Sequence, residues 1–195
     1  MKYGAIGCGV LLLILGVIAM FGVGQYNRLI ALDEAVDTAW AQVENVYQRR
    51  ADLIPNLVAT VKGSAEFEQE TLTAVVEARG KVGQVSFDHA PDAAEMAQFE
   101  AAQGGLSNAL SRLLVVVERY PDIKSTQAFR DLQVQLEGTE NRIAVERNRY
   151  NEVSRGYNTA RRSFPTVLIA NMFGFEPKAY FEATEGADTA PVVEF

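Results

Sequence analysis

The sequence predicts an all-α protein in which an N-terminal transmembrane helix continues into an elongated antiparallel helical bundle. Three observations support this fold class. The chain begins with an uncharged apolar stretch, the apolar residues that follow recur at helical spacings of three and four, and no strand pattern or β-hairpin signal occurs in the sequence. We therefore expect three long helical elements, joined by short turns, to pack antiparallel to one another.

The apolar stretch from Gly4 to Gly24 contains no charged residue. Its roughly 21 residues, at about 1.5 Å each, match the hydrocarbon core of a bilayer, which is roughly 30 Å thick. A cleaved signal peptide is the alternative, but the apolar run is long for such a peptide and residues 20–25 lack a clear cleavage site. No second stretch is long enough to cross, so we predict a single-pass anchor over residues 1–25 that contacts the lipid bilayer through residues 4–24.

The rest of the chain has the size and composition of one folded domain. We expect a helical bundle domain at residues 26–181 and a flexible acidic tail at residues 182–195. The formal net charge of −7 and the lack of a Lys/Arg-rich run argue against nucleic acid as a partner. The positive-inside rule gives a tie between Lys2 and Arg28, and an unformylated amino terminus tilts the prediction towards a domain outside the cytoplasm.

The first helix of the bundle is expected to be a direct continuation of the span, since no Gly or Pro lies between Gln25 and Ile54. We expect Pro55 to bend or break this helix, because proline removes a backbone donor and clashes with the preceding turn. The apolar face of this helix has a spacing close to a heptad. It comprises Leu29, Leu32, Val36, Trp40, Val43 and Tyr47.

Two further helix starts can be predicted from local signals. A break at Gly63-Ser64 precedes a shorter helical piece, and its first turn carries acidic residues, where the helix dipole favours them. These acidic residues are Glu66, Glu68 and Glu70. After a loop over residues 86–91, Asp92 and Glu95 have the spacing of a capping box, which predicts a helix that runs towards Tyr120-Pro121-Asp122.

The last long helix has the most regular apolar pattern in the chain. We expect Ser125 to cap it, and its apolar residues fit one alternating three-four register, with Thr139, Glu146 and Ala160 at the remaining positions. These apolar residues are Phe129, Leu132, Leu136, Ile143, Tyr150, Val153, Tyr157 and Phe164. A short apolar helix or turn is expected over residues 167–175.

Several strings in the chain are specific enough to indicate a family. The first group is Ala39-Trp40 with residues 49–58, which include Asp-Leu-Ile-Pro-Asn-Leu-Val; the second is Glu70-Thr71-Leu72 with Glu77-Ala78-Arg79. Further strings are residues 136–143 (Leu-Glu-Gly-Thr-Glu-Asn-Arg-Ile), Arg149-Tyr150-Asn151, Tyr157-Asn158, Phe173-Gly174-Phe175 and Tyr180-Phe181-Glu182. Together they span nearly the whole region after the anchor, and in this order they resemble the LemA family.

The resemblance implies a single-span bacterial membrane protein with a mostly helical domain. It also implies a relative among magnetosome-membrane proteins and no established enzymatic activity, and it supplies no mechanism. We accordingly expect the chain in the bacterial inner (cytoplasmic) membrane.

No pattern in the sequence indicates catalysis, a cofactor or a metal. A Gly-x-Ser-x-Gly elbow, a phosphate loop and a dinucleotide fingerprint are all absent from the sequence. His89 stands alone in a loop, which is typical of a surface histidine. Glu66 and Glu70 could hold a weak divalent cation, but we favour their role at the helix dipole. We predict no catalytic, cofactor-binding or metal-binding residues, and a protein that is not an enzyme.

Three polar residues lie near the apolar seams. For Asp52, Asn56 and Asn141 we expect a structural role over ligand binding. That role would be helix capping at Pro55 or specification of the register in the bundle.

Two non-catalytic functions compete. In the first, the protein is a membrane-attached homo-oligomeric scaffold, because the heptad face and the aromatic residues Trp40, Tyr47, Tyr150 and Tyr157 offer more apolar surface than one small bundle needs. Glycines would let the spans approach closely. They are Gly4, Gly7, Gly9, Gly16, Gly22 and Gly24.

In the second, the protein is an adaptor that presents its C-terminal tail to a partner such as a membrane protease. Residues 191–195 end in an apolar residue with a free carboxylate, as do extended segments that add to a sheet edge of a peptide-binding domain. An ordinary disordered terminus is the alternative.

Overall fold

The computed structural model of the chain describes residues 2–63 and 67–182, and the regular secondary structure within these ranges is helical. This confirms the predicted all-α class. The helices are α1 (Lys2–Lys62), α2 (Gln69–Val82), α3 (Ala93–Val117), α4 (Pro121–Lys124), α5 (Gln127–Arg162) and α6 (Thr166–Phe173).

Helix α1 is one element of 61 residues, about 90 Å long at about 1.5 Å per residue. Of the predicted bend or break at Pro55, the break does not occur, because the helix continues through Pro55 to Lys62. Pro55 lies on the exposed face, whereas Ile54 and Leu57 beside it are buried in the core. The packing of these neighbours holds the helix together although one backbone hydrogen bond is lost.

The start of α1 carries large apolar side chains that the rest of the protein leaves uncovered. Leu12 is 63% exposed, Leu13 67%, Met20 81% and Val23 60%. By length and composition α1 includes a stretch that could cross a membrane. An acyl-chain environment would remove this apolar surface from water.

Helices α1 and α5 form the long antiparallel pair of the bundle. Trp40 of α1 lies beside Tyr150 of α5, and Arg50 of α1 bonds to Glu140 of α5, so residue numbers rise along one helix as they fall along the other. The first buried residue of α1 in this pair is Leu29. The two helices therefore pack along most of the region that follows the apolar stretch.

Helices α2 and α3 form an antiparallel hairpin that packs across the first pair. Ion pairs join Glu68 to Arg119 at 2.6 Å and Glu70 to Arg112 at 3.6 Å, which fixes the opposite directions of the two helices. The bundle thus contains three long helices and one short one. Helix α3 points the same way as α1, since the chain reverses direction both before and after α2.

The core has two apolar clusters along the rod. The cluster nearer the apolar stretch of α1 is rich in aromatic residues, among them Trp40, Phe99, Tyr150 and Phe181. The cluster at the other end is aliphatic and includes residues such as Leu57, Leu106, Leu113 and Leu136. On each of the three long helices, a buried polar residue separates the positions that belong to the two clusters. These residues are Arg50 on α1, Gln103 on α3 and Thr139 on α5.

The predicted start of α3 is confirmed by its capping box. The Asp92 carboxylate accepts hydrogen bonds from the backbone N–H groups of Ala94 and Glu95, at 2.8 and 2.9 Å. The Glu95 carboxylate accepts the backbone N–H of Asp92 at 3.0 Å. Three backbone donors at the start of the helix are therefore satisfied by the two carboxylates.

Other predicted boundaries were displaced. Helix α3 ends at Val117, and Pro121 starts the short α4. Thr126 caps α5 in place of Ser125, because its hydroxyl accepts the Phe129 N–H at 3.3 Å. The register of α5 ends at Arg162, so Phe164 lies outside it and is 82% exposed.

Two predictions fall partly outside the described residues. Ser64 and Glu66, which were expected to begin the second helix, lie there, and α2 starts at Gln69. The predicted tail at 182–195 also lies outside the described residues, except for Glu182.

Candidate functional site

The segment that follows α6 folds back along α5. Gly174 has a φ of 72°, which is the left-handed conformation that glycine adopts at helix ends, and the Phe175 N–H bonds to the Ala170 carbonyl at 3.0 Å. The chain then continues without regular secondary structure to Glu182. We refer to residues 175–182 as the strap.

Two asparagines of α5 hold the backbone of the strap. The Asn158 amide donates to the Lys178 carbonyl at 2.9 Å and accepts the Lys178 N–H at 3.0 Å. Asn151 makes the same pair of bonds with Phe181, both at 2.9 Å. Each side chain therefore pairs with a residue of the strap as a neighbouring β-strand would. We refer to these two pairings as the asparagine clamps.

The spacing of the clamps matches the geometry of the two segments. Asn151 and Asn158 are seven residues apart on α5, which is about 10.5 Å of helix. Lys178 and Phe181 are three residues apart, which is about 10 Å of extended chain. Because the two distances agree, both asparagines can bond to the strap at once.

Three more α5 side chains donate to strap carbonyls. The Tyr157 hydroxyl donates to Glu176 at 2.9 Å, and the Arg161 guanidinium donates to Phe175 at 2.6 Å. At the far end, Arg147 donates to the Glu182 carbonyl at 3.0 Å. These bonds take the place of the backbone hydrogen bonds that a neighbouring β-strand would supply to an extended segment.

The aromatic ring of Phe181 inserts into the aromatic cluster. It is 5% exposed, and its centroid lies 5.5 Å from Tyr150, 6.1 Å from Trp40 and 6.3 Å from Phe99. The Arg147 guanidinium lies 4.5 Å above the same ring. The strap thereby joins α1, α3 and α5 through one side chain.

A buried arginine lies next to this cluster. Arg50 is 2% exposed, and its guanidinium donates to Glu140 at 2.8 Å, to Ser107 at 2.9 Å and to the Gln103 side chain at 2.5 Å. It also lies 5.0 Å from the Tyr47 ring centre. One cation therefore links α1, α3 and α5. Its charge is balanced by Glu140, whose side chain is half exposed.

A cavity of about 440 Å³ opens between α1, α3, α5 and the end of the strap. Arg50 and Glu182 line it, and an ion pair of 3.0 Å between Arg147 and Glu100 lies at its edge. Burial raises the pKa values of Glu100 and Tyr47. Most of the residues that line the cavity are polar or charged, and the terminal guanidinium nitrogens of its two arginines donate to protein acceptors.

The predicted candidates for chemistry lie apart from this cavity. His89 is exposed, and a hydrogen bond to Asp88 raises its pKa. Glu70 is exposed and faces Arg112, and Glu66 lies outside the described residues. In the described ranges, no group of three or more His, Cys, Asp or Glu residues could hold a metal ion.

For three polar residues we expected capping at Pro55 or specification of the bundle register, but α1 continues through Pro55 and none of the three is buried. Asp52, Asn56 and Asn141 are all exposed. The buried polar positions are instead Arg50, Thr71, Gln103, Thr139, Ser154, Asn158 and Thr166. The repeated Tyr-Asn pair at 150–151 and 157–158, seven residues apart, was the sequence signal that could have indicated the asparagine clamps.

The aromatic residues expected to provide surplus surface for self-association are buried in a single chain. Trp40 is 1% exposed, Tyr47 5%, Tyr150 0% and Tyr157 1%. That part of the prediction is wrong, because the strap, α3 and α5 cover these side chains. Any contact between copies must use other residues.

The profile of the LemA family matches residues 39–195, which is most of the chain. The chain belongs to the LemA family. This LemA-family chain is 29% identical to magnetosome protein MamQ 2 of Paramagnetospirillum magneticum, in an alignment that covers 87% of this chain and 68% of that protein. The magnetosome protein MamQ of Magnetospirillum gryphiswaldense is 26% identical over the same shares.

Protein LemA of Metamycoplasma hominis is 22% identical, over 89% of this chain and 76% of that protein. None of these names denotes an enzyme. Family membership, the bacterial relatives and the apolar stretch of α1 together indicate a membrane-associated bacterial protein. The matched range, residues 39–195, contains Trp40, Arg50 and both asparagine clamps.

The clamp geometry predicts that Asn158→Ala loosens the strap. The substitution removes two hydrogen bonds to the Lys178 backbone and one to the Tyr180 hydroxyl, each worth about 1 kcal/mol, so the free energy of unfolding should fall by about 3 kcal/mol. Hydrogen exchange at the Lys178 amide should accelerate. The control is Asn148→Ala, at an exposed asparagine of the same helix, with an expected change below about 0.5 kcal/mol. Equal effects from both substitutions would contradict the clamp.

The buried cation predicts a large difference between two adjacent arginines. Arg50→Met leaves the buried Gln103 side chain without its partner, which costs about 1–3 kcal/mol. Arg49→Met changes an exposed residue and should stay within about 0.5 kcal/mol. Chemical unfolding followed by circular dichroism measures both. A loss of stability that is no greater for Arg50→Met would show that the network contributes nothing.

Two buried tyrosines predict loss of stability in alkali. Burial raises the pKa values of Tyr150 and Tyr157 from 10.0 to about 12, so the folded state keeps both protons where the unfolded chain has lost them. Stability is therefore full below pH 10 and is lost as the pH rises towards about 12. Between pH 9 and 12, the free energy of unfolding should decline less steeply with pH in Tyr150→Phe than in the unchanged protein. An unchanged slope in that variant would rule out the contribution of Tyr150.

Proposed function

We propose that this LemA-family protein is a non-enzymatic, single-pass protein of the bacterial inner membrane that acts as a membrane-attached homo-oligomeric scaffold. The bundle would lie outside the cytoplasm, as the sequence favours. The observation that carries the proposal is the continuity of α1, which includes both the apolar stretch and the longest core helix.

A continuous helix fixes the orientation of the bundle relative to the anchor. Leu29 is already buried in the bundle, five residues after Gly24 at the end of the apolar stretch. No linker lies between the span and the bundle. The face of the span that contacts a neighbouring span therefore determines which face of the bundle lies beside the neighbouring bundle. Copies that associate through their spans would therefore align their bundles in a defined way.

Two surfaces support contact between copies. Around Gly9, Gly16 and Gly24 of α1, an added Cβ would meet no atom within 4 Å, so another helix could approach closely there. In the bundle, an open groove of about 280 Å³ between α3 and α5 is lined by Leu110, Leu114 and other residues. Exposed Val115 and Val134, at 70% and 67%, extend the apolar surface of these two helices.

The chemistry of the cavity supports a non-enzymatic role. Arg50 and Arg147 are held by Glu140 and Glu100. Neither His nor Cys is among the residues that line this cavity, and the Ser107 hydroxyl accepts a hydrogen bond from the Arg50 guanidinium. The polar groups instead connect helices, as expected of a structural seam.

The test is the mass of the full-length protein in a mild detergent, measured by size exclusion with light scattering. We expect a discrete assembly for the unchanged protein and a smaller species for the double variant Gly9→Ile, Gly16→Ile, in which the added side chains separate the spans. Gly156→Ile adds the same bulk at an open position of α5 that lies away from the groove between α3 and α5, and should leave the mass unchanged. An unchanged protein that is monomeric at every concentration would overturn the scaffold.

A second candidate is the adaptor, which the strap favours. Because Arg147 holds the Glu182 carbonyl, the residues that follow start from a fixed point beside the cavity. A tail presented from that point would be the part that binds a partner such as a membrane protease. Deletion of residues 191–195 should then abolish co-purification of the partner, and retention of every co-purifying protein would exclude the adaptor.

A further inference from the structure

Helix α6 leaves a row of large apolar side chains uncovered. Phe164 is 82% exposed, Leu168 57%, Met172 74% and Phe173 57%. Leu168 and Met172 are four residues apart and lie on one face of the helix, and Phe164 precedes them by the same interval. Four large apolar side chains are therefore exposed within the eight residues of α6 and the short segment before it, which is an unfavourable arrangement in water.

The position of α6 in the fold is defined by contacts with α1. The Thr166 hydroxyl donates to the Gln25 side chain at 2.8 Å, and the Ile169 side chain packs over Gly22. The rings of Tyr26 and Phe173 lie 4.8 Å apart. Helix α6 is therefore level with the last residues of the apolar stretch of α1, where a spanning helix leaves the hydrocarbon region.

We propose that α6 is a second membrane contact, which lies in the bilayer interface with Phe164, Leu168 and Met172 among the lipid chains. The proposal rests on the membrane span of the proposed function. It goes further because it assigns a lipid-binding surface to a part of the chain that is distant in sequence from the anchor.

Three observations favour lipid as the occupant of this surface. Phe173 of the exposed row lines one apolar groove with Val23 of α1, which is also exposed, so apolar surface continues from α6 onto α1. Tyr26, with a ring 4.8 Å from Phe173, has the amphipathic character of side chains at membrane interfaces.

The charge around this surface is the third observation. Arg28 of α1 and Arg162 at the end of α5 are both exposed and close in sequence to the α1–α6 contact. Guanidinium groups at this level suit anionic lipid headgroups.

A second contact would restrict how the bundle sits on the membrane. A single spanning helix can tilt and rotate in a bilayer, and its neighbours and interfacial residues determine how far. With α6 in the interface, the bundle is attached at two points. The strap, which begins directly after α6, would then connect the interface to Phe181 in the aromatic cluster.

The experiment places spin labels on the full-length protein in vesicles of phosphatidylethanolamine and phosphatidylglycerol. Cys8→Ser removes the native cysteine, and single cysteines are introduced by Met172→Cys, Leu15→Cys and Val145→Cys. Leu15 reports the span, and Val145 is a control on α5 that is 63% exposed. Collisions of each label with oxygen, which concentrates in lipid, are compared with collisions with a water-soluble nickel chelate.

We expect the ratio of oxygen to nickel collisions at Met172 to be several-fold higher than at Val145 and closer to the ratio at Leu15. A ratio at Met172 equal to that at Val145, with Leu15 in lipid, would overturn the inference and leave the span intact. A low ratio at Leu15 as well would instead remove the span. Protection of Met172 from both reagents would also overturn the inference, because protein such as a second copy would then cover α6.

Discussion

The continuity of α1 constrains the rest of the molecule. One helix exposes apolar side chains such as Leu12, Met20 and Val23 and then buries a single face from Leu29 onwards. Since nothing interrupts the helix, every other element has to be arranged around that face. Helix α5 is long enough to follow it in the opposite direction, and the α2–α3 hairpin covers the side that α5 leaves open.

The asparagine clamps solve a problem that this arrangement creates. Helix α5 ends at the end of the bundle that is nearer the apolar stretch of α1, and among the described residues the chain that follows has no strand to pair with. Asn151 and Asn158 supply donors and acceptors at the spacing of an extended backbone, so the strap can lie on a helix with the backbone groups of Lys178 and Phe181 paired. The strap in turn brings Phe181 to the aromatic cluster and Glu182 to the cavity.

The polar seam at Arg50 has a different physical character from the clusters on either side. A buried guanidinium needs several acceptors, and it finds them on α3 and α5 at once. Apolar side chains tolerate small shifts along a helix, whereas these directional bonds do not. We infer that Arg50 fixes the relative positions of three helices, and that the cavity beside it results from the volume such a network leaves unfilled.

The sequence by itself determined the helical class, the apolar stretch, the capping box at Asp92 and the regular face of α5, because hydrophobic periodicity and cap residues are local properties. Only the tertiary structure decided that α1 passes through Pro55, that Trp40 and Tyr150 are covered within one chain, and that Asp52, Asn56 and Asn141 face solvent while Asn151 and Asn158 hold the strap. A heptad pattern shows that a face needs a partner, but the partner depends on contacts between residues far apart in the chain. The clamps, the Arg50 network and the position of α6 all depend on such contacts.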